Sequence, residues 1–151
     1  MKRFVFPLAQ IRAWNATRLE LEEAELEAIR ERQRKTEAAY AAICSQRTEF
    51  EQSTLHQRSI DSSELARIEQ FRVFVASEGR RLQAAQAGFK KQIEERRARI
   101  IEIKRKIELL DRLRESQYDA WTAEEAKELQ AAADEAFLQK LVVRRMLSSQ
   151  S

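Results

Sequence analysis

Two glycines, one proline, one cysteine and one histidine are all that this 151-residue chain contains of those residue types, and each scarcity excludes something. With Gly79 and Gly88 the only glycines, there is no Gly-rich loop to cradle a phosphate, and little to interrupt a helix. Pro7 is the sole proline and stands near the start, so nothing beyond the first turn carries a proline break. Cys44 alone cannot form an internal disulfide, has no Cys or His partner at metal-ligand spacing, and suits a reducing cytoplasm. His56 has no acid or nucleophile fixed beside it. No apolar run approaches the ~20 residues of a membrane-spanning helix. The opening Met1-Lys2-Arg3-Phe4-Val5-Phe6 is cut short by Pro7 and Arg12, too early for a signal peptide. The reading is of a non-enzyme, with no cofactor and no metal.

What the chain has in abundance is Ala, Glu, Arg and Leu, with 35% charged residues and a mean hydropathy of −0.63. That composition belongs to long helices and coiled coils. It cannot fill a thick core, but it can fill a narrow seam. The net charge is only +3, because 28 basic residues are nearly cancelled by 25 acidic ones.

The seam can be read as heptads. With position a at residue 19, the a and d positions are Leu19, Glu22, Leu26, Ile29, Gln33, Thr36, Tyr40, Ile43, Arg47 and Phe50, of which six are apolar. Phe4, Leu8 and Ile11 share this spacing, but joining them to Leu19 requires a local slip in register. A second frame, with a at residue 65, runs Leu65, Ile68, Arg72, Val75, Gly79, Leu82, Gln86, Phe89, Ile93, Arg96, Ile100, Ile103, Ile107 and Leu110, and later reaches Trp121.

Between the frames lies Ser59-Ile60-Asp61-Ser62-Ser63-Glu64, the one interior cluster of turn and cap formers. Ser62 or Ser63 is the expected cap, with Glu64 favouring the first turn of the next helix. The predicted fold is all-α, a long antiparallel two-helix coiled-coil hairpin with unequal arms. It is one domain, with helix 1 over about 6–58, a turn over 59–63 and helix 2 over 64–146. A single unbroken helix is the alternative, since the turn has neither Gly nor Pro.

A fold-back about Asp61 pairs residues whose numbers add to 122. It brings Leu19 to Ile103, Ile29 to Ile93, Tyr40 to Leu82 and Arg47 to Val75, so the two independently assigned frames interlock. Acidic Glu20, Glu22, Glu23, Glu25 and Glu27 fall opposite Arg96, Arg97 and Arg99. Met1 falls opposite Trp121. Residues beyond about 122 then have no partner helix, although Leu129, Ala133, Ala136, Phe137 and Leu141 still form an apolar face, a candidate binding surface. The last four residues, 148–151, read as a disordered tail.

Two further features bear on partners. Phe71 flanks an a position and Phe74 falls at c, so both are candidate interface anchors, or else pack across the hairpin tip. Trp14 poses the same alternative. Residues 80–114 hold twelve basic and five acidic side chains, but the bases are spread around the helix and interleaved with acids. Nucleic-acid binding is therefore not expected.

Four features, in order along the chain, resemble the flagellar export protein FliJ family, the small coiled-coil component of the bacterial type III export apparatus. The opening Lys2-Arg3-Phe4-Val5-Phe6-Pro7-Leu8 is similar to that family's Phe-x-Phe-x-Leu start. A Glu- and Ala-rich helix follows from Leu19-Glu20-Leu21-Glu22-Glu23-Ala24. Leu65 to Phe71, with Phe74 and Val75, resembles the aromatic start of the second helix. Leu109-Leu110-Asp111-Arg112-Leu113-Arg114-Glu115, Tyr118, Glu124 to Leu129 and Asp134-Glu135-Ala136 resemble the family's ending, although residues 130–133 separate Leu129 from Asp134 where the family has no such gap.

The resemblance implies a stalk like that of rotary ATPases, entering an export ATPase hexamer by its paired ends, with Phe4, Leu8, Leu129, Phe137 and Leu141 on that side. It implies that the opposite end, with Phe71, Phe74 and Val75, faces the export gate membrane protein. It also implies escort of export chaperones and a cytoplasmic location, peripheral to the inner membrane at the flagellar base. Other readings are a virulence-type secretion stalk and a purely structural coiled coil that dimerises or scaffolds.

Overall fold

The computed structural model describes residues 2–57 and 59–150. Two long helices packed against each other make up the chain, α1 (Ala9–Leu55, 47 residues) and α2 (Ser62–Ser149, 88 residues), with no strand among the described residues. The expected all-α fold with arms of unequal length is what is seen. The chain divides into two compact units, Thr17–Lys104 and the pair Met1–Ala16 with Arg105–Ser151.

The unit of residues 17–104 is an antiparallel helix pair. Phe50 meets Phe71, Tyr40 meets Gln83 and Glu22 meets Arg96, so contacting pairs add to within about four of the expected 122. Nine of the ten a and d positions assigned in α1 are shielded from solvent, with Arg47 the exception. In α2 the seam is shielded from Ile68 to Ile103 apart from Arg72, while Leu65 is exposed. The core is Leu26, Ile29, Ile93 and Ile100 with Leu19 and Phe89 packed on it, and Ile29 and Ile103 each keep only 2% of their surface. Burying each such isoleucine stabilises the pair by roughly 1.5–3 kcal/mol before chain entropy is counted. At Gly79 an added Cβ would meet the Tyr40 ring at 3.8 Å, ordinary contact, so this glycine is not required by close approach.

Across the seam Arg96 donates to Glu22 at 2.8 Å, which raises the guanidinium pKa above its usual value chiefly through that hydrogen bond. The expected acid-to-base facing thus holds for Glu22. Glu27 differs: it accepts from Arg34 two turns along its own helix at 2.7 Å, a pairing that needs no partner helix.

The turn corrects the expectation in two ways. The helix break falls earlier than residues 59–63, because α1 ends at Leu55 and α2 already begins at Ser62. Arg58, the expected last residue of helix 1, lies outside the described residues. The cap is Asp61 rather than Ser62 or Ser63. Its Oδ1 accepts from the Glu64 backbone N–H and from the Ser63 hydroxyl, each at 2.8 Å, while its carbonyl accepts from Leu65 N–H at 3.1 Å. A carboxylate one residue before the helix reaches the third N–H and carries the charge that the N-terminal dipole favours, which a serine does not. The Glu64 N–H first, and then the Ser63 hydroxyl, hold the Asp61 carboxyl below the usual carboxylate range.

Helix α1 likewise begins at Ala9 and not at 6. Pro7 and Leu8 form a turn ahead of it, closed by the Ala9 N–H donating to the Phe6 carbonyl at 3.2 Å, and the fixed φ of Pro7 suits the first central position of that turn. At the other end α2 stays helical to Ser149, where a disordered tail over 148–151 was expected; Ser148 and Ser149 hydroxyls donate back to the Arg145 and Met146 carbonyls. Residue 151 lies outside the described residues.

Candidate protein-binding surfaces

In the unit formed by the two chain ends, the first residues run extended and lay two phenylalanines along α2. Phe6 is buried, and Phe4 is half-buried. The Phe4 ring meets Tyr118 edge-on at 5.2 Å and Trp121 at 5.8 Å, and the Arg114 guanidinium lies 5.9 Å above it. Such aromatic and cation–π contacts each add about 0.5–1.5 kcal/mol to area burial. Phe4 thus lies level with Trp121, three residues later than the helical count gives: an extended residue advances ~3.3 Å against ~1.5 Å in a helix, so that count fails before Pro7. Met1 itself lies outside the described residues.

Next along the same unit, Leu8 is half-buried, Arg12 donates to Asp111 at 3.0 Å, and Asn15 is 4% exposed. These residues carry the heptad frame of residue 19 back through Asn15, Arg12 and Leu8, so the slip expected near Ile11 does not occur. Ile11 is 49% exposed. The frame was hidden because two of its positions are polar. Asn15 Nδ2 donates to the Ile11 carbonyl at 2.9 Å, and its buried Oδ1 has no partner. Trp14 stays largely exposed.

Beyond Trp121 the character of α2 changes. Every residue of 126–150 is exposed, and the exposed set includes Leu129, Phe137, Leu138, Leu141, Val142, Val143, Met146 and Leu147. Of the end-facing residues expected from sequence, Leu129, Phe137 and Leu141 lie free on this segment, whereas Phe4 and Leu8 are spent on packing within the chain. The uncovered length matches the expected overhang beyond about 122, but its apolar face is wider than the residues named for it, since Leu138, Val142, Val143, Met146 and Leu147 are exposed as well.

At the turn end of the other unit, the three expected contact residues are separated. Phe74 is 57% exposed, as a c position should be. Phe71 is half-buried with its ring 4.3 Å from Phe50, so the alternative of packing across the tip is realised for it. Val75 is 7% exposed and its side chain belongs to the seam, as its a/d assignment requires. Val73 and Leu65 are exposed apolar neighbours that sequence reading did not single out as a surface. Tyr40, Phe50, Phe71 and Gly79 border a groove of about 280 Å³. Cys44 is exposed beside it.

No family model, curated protein or solved structure matches this chain. Among the described residues no helix is long and apolar enough to cross a membrane, and no group of three or more His, Cys, Asp or Glu side chains is placed to hold a metal ion. Several bases of the 80–114 stretch are engaged within the chain: Arg81 with Glu78, Arg96 with Glu22 and Arg112 with Glu108. These pairs lower the charge available to a phosphate backbone.

Proposed function

We propose that this chain is a non-catalytic coiled-coil component of a bacterial flagellar type III protein export apparatus, a stalk that couples the export ATPase hexamer to the export gate and escorts export chaperones. The observation that carries the reading is the uncovered apolar stretch of α2 around Leu129, Phe137 and Leu141, on a helix whose preceding heptads are packed. A helix apolar on most of its circumference calls for an enclosing partner, and the central opening of a ring supplies one. Phe74 is the gate-facing contact in this reading, with Phe71 and Val75 holding the helix that presents it. The protein would act in the cytoplasm, peripheral to the inner membrane at the flagellar base.

Binding to purified export ATPase tests it. Wild type should be retained by the hexamer, Phe137→Ala/Leu141→Ala should lose at least ten-fold in affinity, and Phe74→Ala should keep ATPase binding but lose the gate protein. Retention of both partners by all variants would remove the reading. Binding of only a virulence-type ATPase would move the same stalk to that system.

A further inference from the structure

The uncovered segment of α2, together with the half-buried Glu125 that leads into it, carries a charge division that the rest of the helix lacks. Residues 124–135 contain Glu124, Glu125, Glu128, Asp134 and Glu135 against one base, Lys127. Residues 136–149 contain Lys140, Arg144 and Arg145 and no acid. Two copies of such a segment laid parallel would set like charge against like along their length. Laid antiparallel, each acidic half lies along the other's basic half.

The apolar residues obey the same symmetry. Glu125, Leu129, Ala133, Phe137, Leu141 and Arg145 follow one another at i, i+4 and form a single ridge on the helix surface. This ridge is its own complement about residue 135. Reversal brings Glu125 level with Arg145, Leu129 level with Leu141, and the bulk of Phe137 level with the small side chain of Ala133. A closed two-fold contact needs a surface that matches itself in this way. Phe137 keeps 63% of its surface exposed, Leu129 53% and Leu141 40%, all available to a second copy.

We infer that the chain self-associates as an antiparallel homodimer through residues 124–147 of α2, centred near Glu135. The inference does not rest on the export reading. The dimer covers Phe137 and Leu141, so a partner that binds this face competes with it, and dilution or partner excess releases the monomer.

Sedimentation equilibrium on the full chain, with helicity monitored by circular dichroism, tests the proposal. Wild type should convert from monomer to dimer with rising concentration at low salt. Phe137→Glu should weaken the dimer at least a hundred-fold with helicity retained. Glu125→Arg and Arg145→Glu should each weaken it several-fold, because each sets like charges level, and the double variant should return to within about two-fold of wild type. A monomer at every concentration up to about 1 mM overturns the proposal. So does a dimer indifferent to Phe137→Glu, or a double swap no stronger than the single ones.

Discussion

Two stretches of the same helix, Ile93–Ile103 and Leu129–Leu147, are both rich in branched apolar residues, and they end in opposite circumstances. In the first, Ile93, Ile100 and Ile103 recur at heptad spacing, so one narrow stripe faces α1 and each isoleucine keeps 7% or less of its surface. In the second, Phe137, Leu138, Leu141, Val142, Val143, Met146 and Leu147 go most of the way around the helix, and all stay at least 40% exposed. Apolar content alone does not bury a helix. A stripe can be satisfied by one neighbour, whereas an all-round distribution needs more than this chain supplies.

The contrast can be broken first at its covered end. Ile29→Ala should destabilise the helix pair by about 2–4 kcal/mol, because the side chain is almost wholly enclosed and the cavity has nothing to fill it. Leu138→Ala, on the uncovered stretch, should move stability by no more than ~0.5 kcal/mol. Urea denaturation followed by circular dichroism checks both, and equal losses would mean the two stretches are not different in kind.

A smaller change, of opposite sign, sits at Asn15. Its unpartnered Oδ1 is a buried polar atom at a seam position, so Asn15→Leu should stabilise the chain by about 1–2 kcal/mol. Buried asparagines in coiled coils fix register at a cost in stability. Spin-label distances between residues 8 and 114 in the variant should accordingly broaden.

The smallest effect belongs to the turn. The folded Asp61 carboxyl lies below its ordinary pKa, so its contribution is complete above the unfolded value and is lost as pH falls through the folded one. Wild type should therefore be slightly more stable than Asp61→Asn near neutrality, and that advantage should disappear as pH falls through the acid window. Melting temperatures across the acid range read this out.

Much of this architecture was legible from residue spacing. The two heptad frames, the pairing about Asp61 and the uncovered end of α2 all follow from where Leu and Ile recur, because a seam imposes a period on sequence. What was illegible lacked an apolar marker. Arg12 and Asn15 occupy seam positions as polar residues, so the frame looked broken where it continues. For Phe71 the spacing left two readings open, surface anchor or packing across the tip, because period says which way a residue points, not whether Phe50 will reach over to meet it. Capping by Asp61 over its serine neighbours was decided by charge and reach within one turn, which composition does not resolve.

The hairpin topology also sets an order for folding. Phe50 and Phe71 are separated by only 21 residues of chain, Tyr40 and Gln83 by 43, and Glu22 and Arg96 by 74. Each contact formed near the turn shortens the loop that the next must close, so closing the pair progressively from Asp61 never incurs the entropy of a long loop at once. On this loop-closure argument the capped turn is where a nucleus is expected, and Leu26→Ala or Ile100→Ala should mainly speed unfolding and leave the folding rate nearly unchanged in stopped-flow chevrons. A helix pair of this kind closes like a zip from its turn, and its most buried contacts come late in the closing.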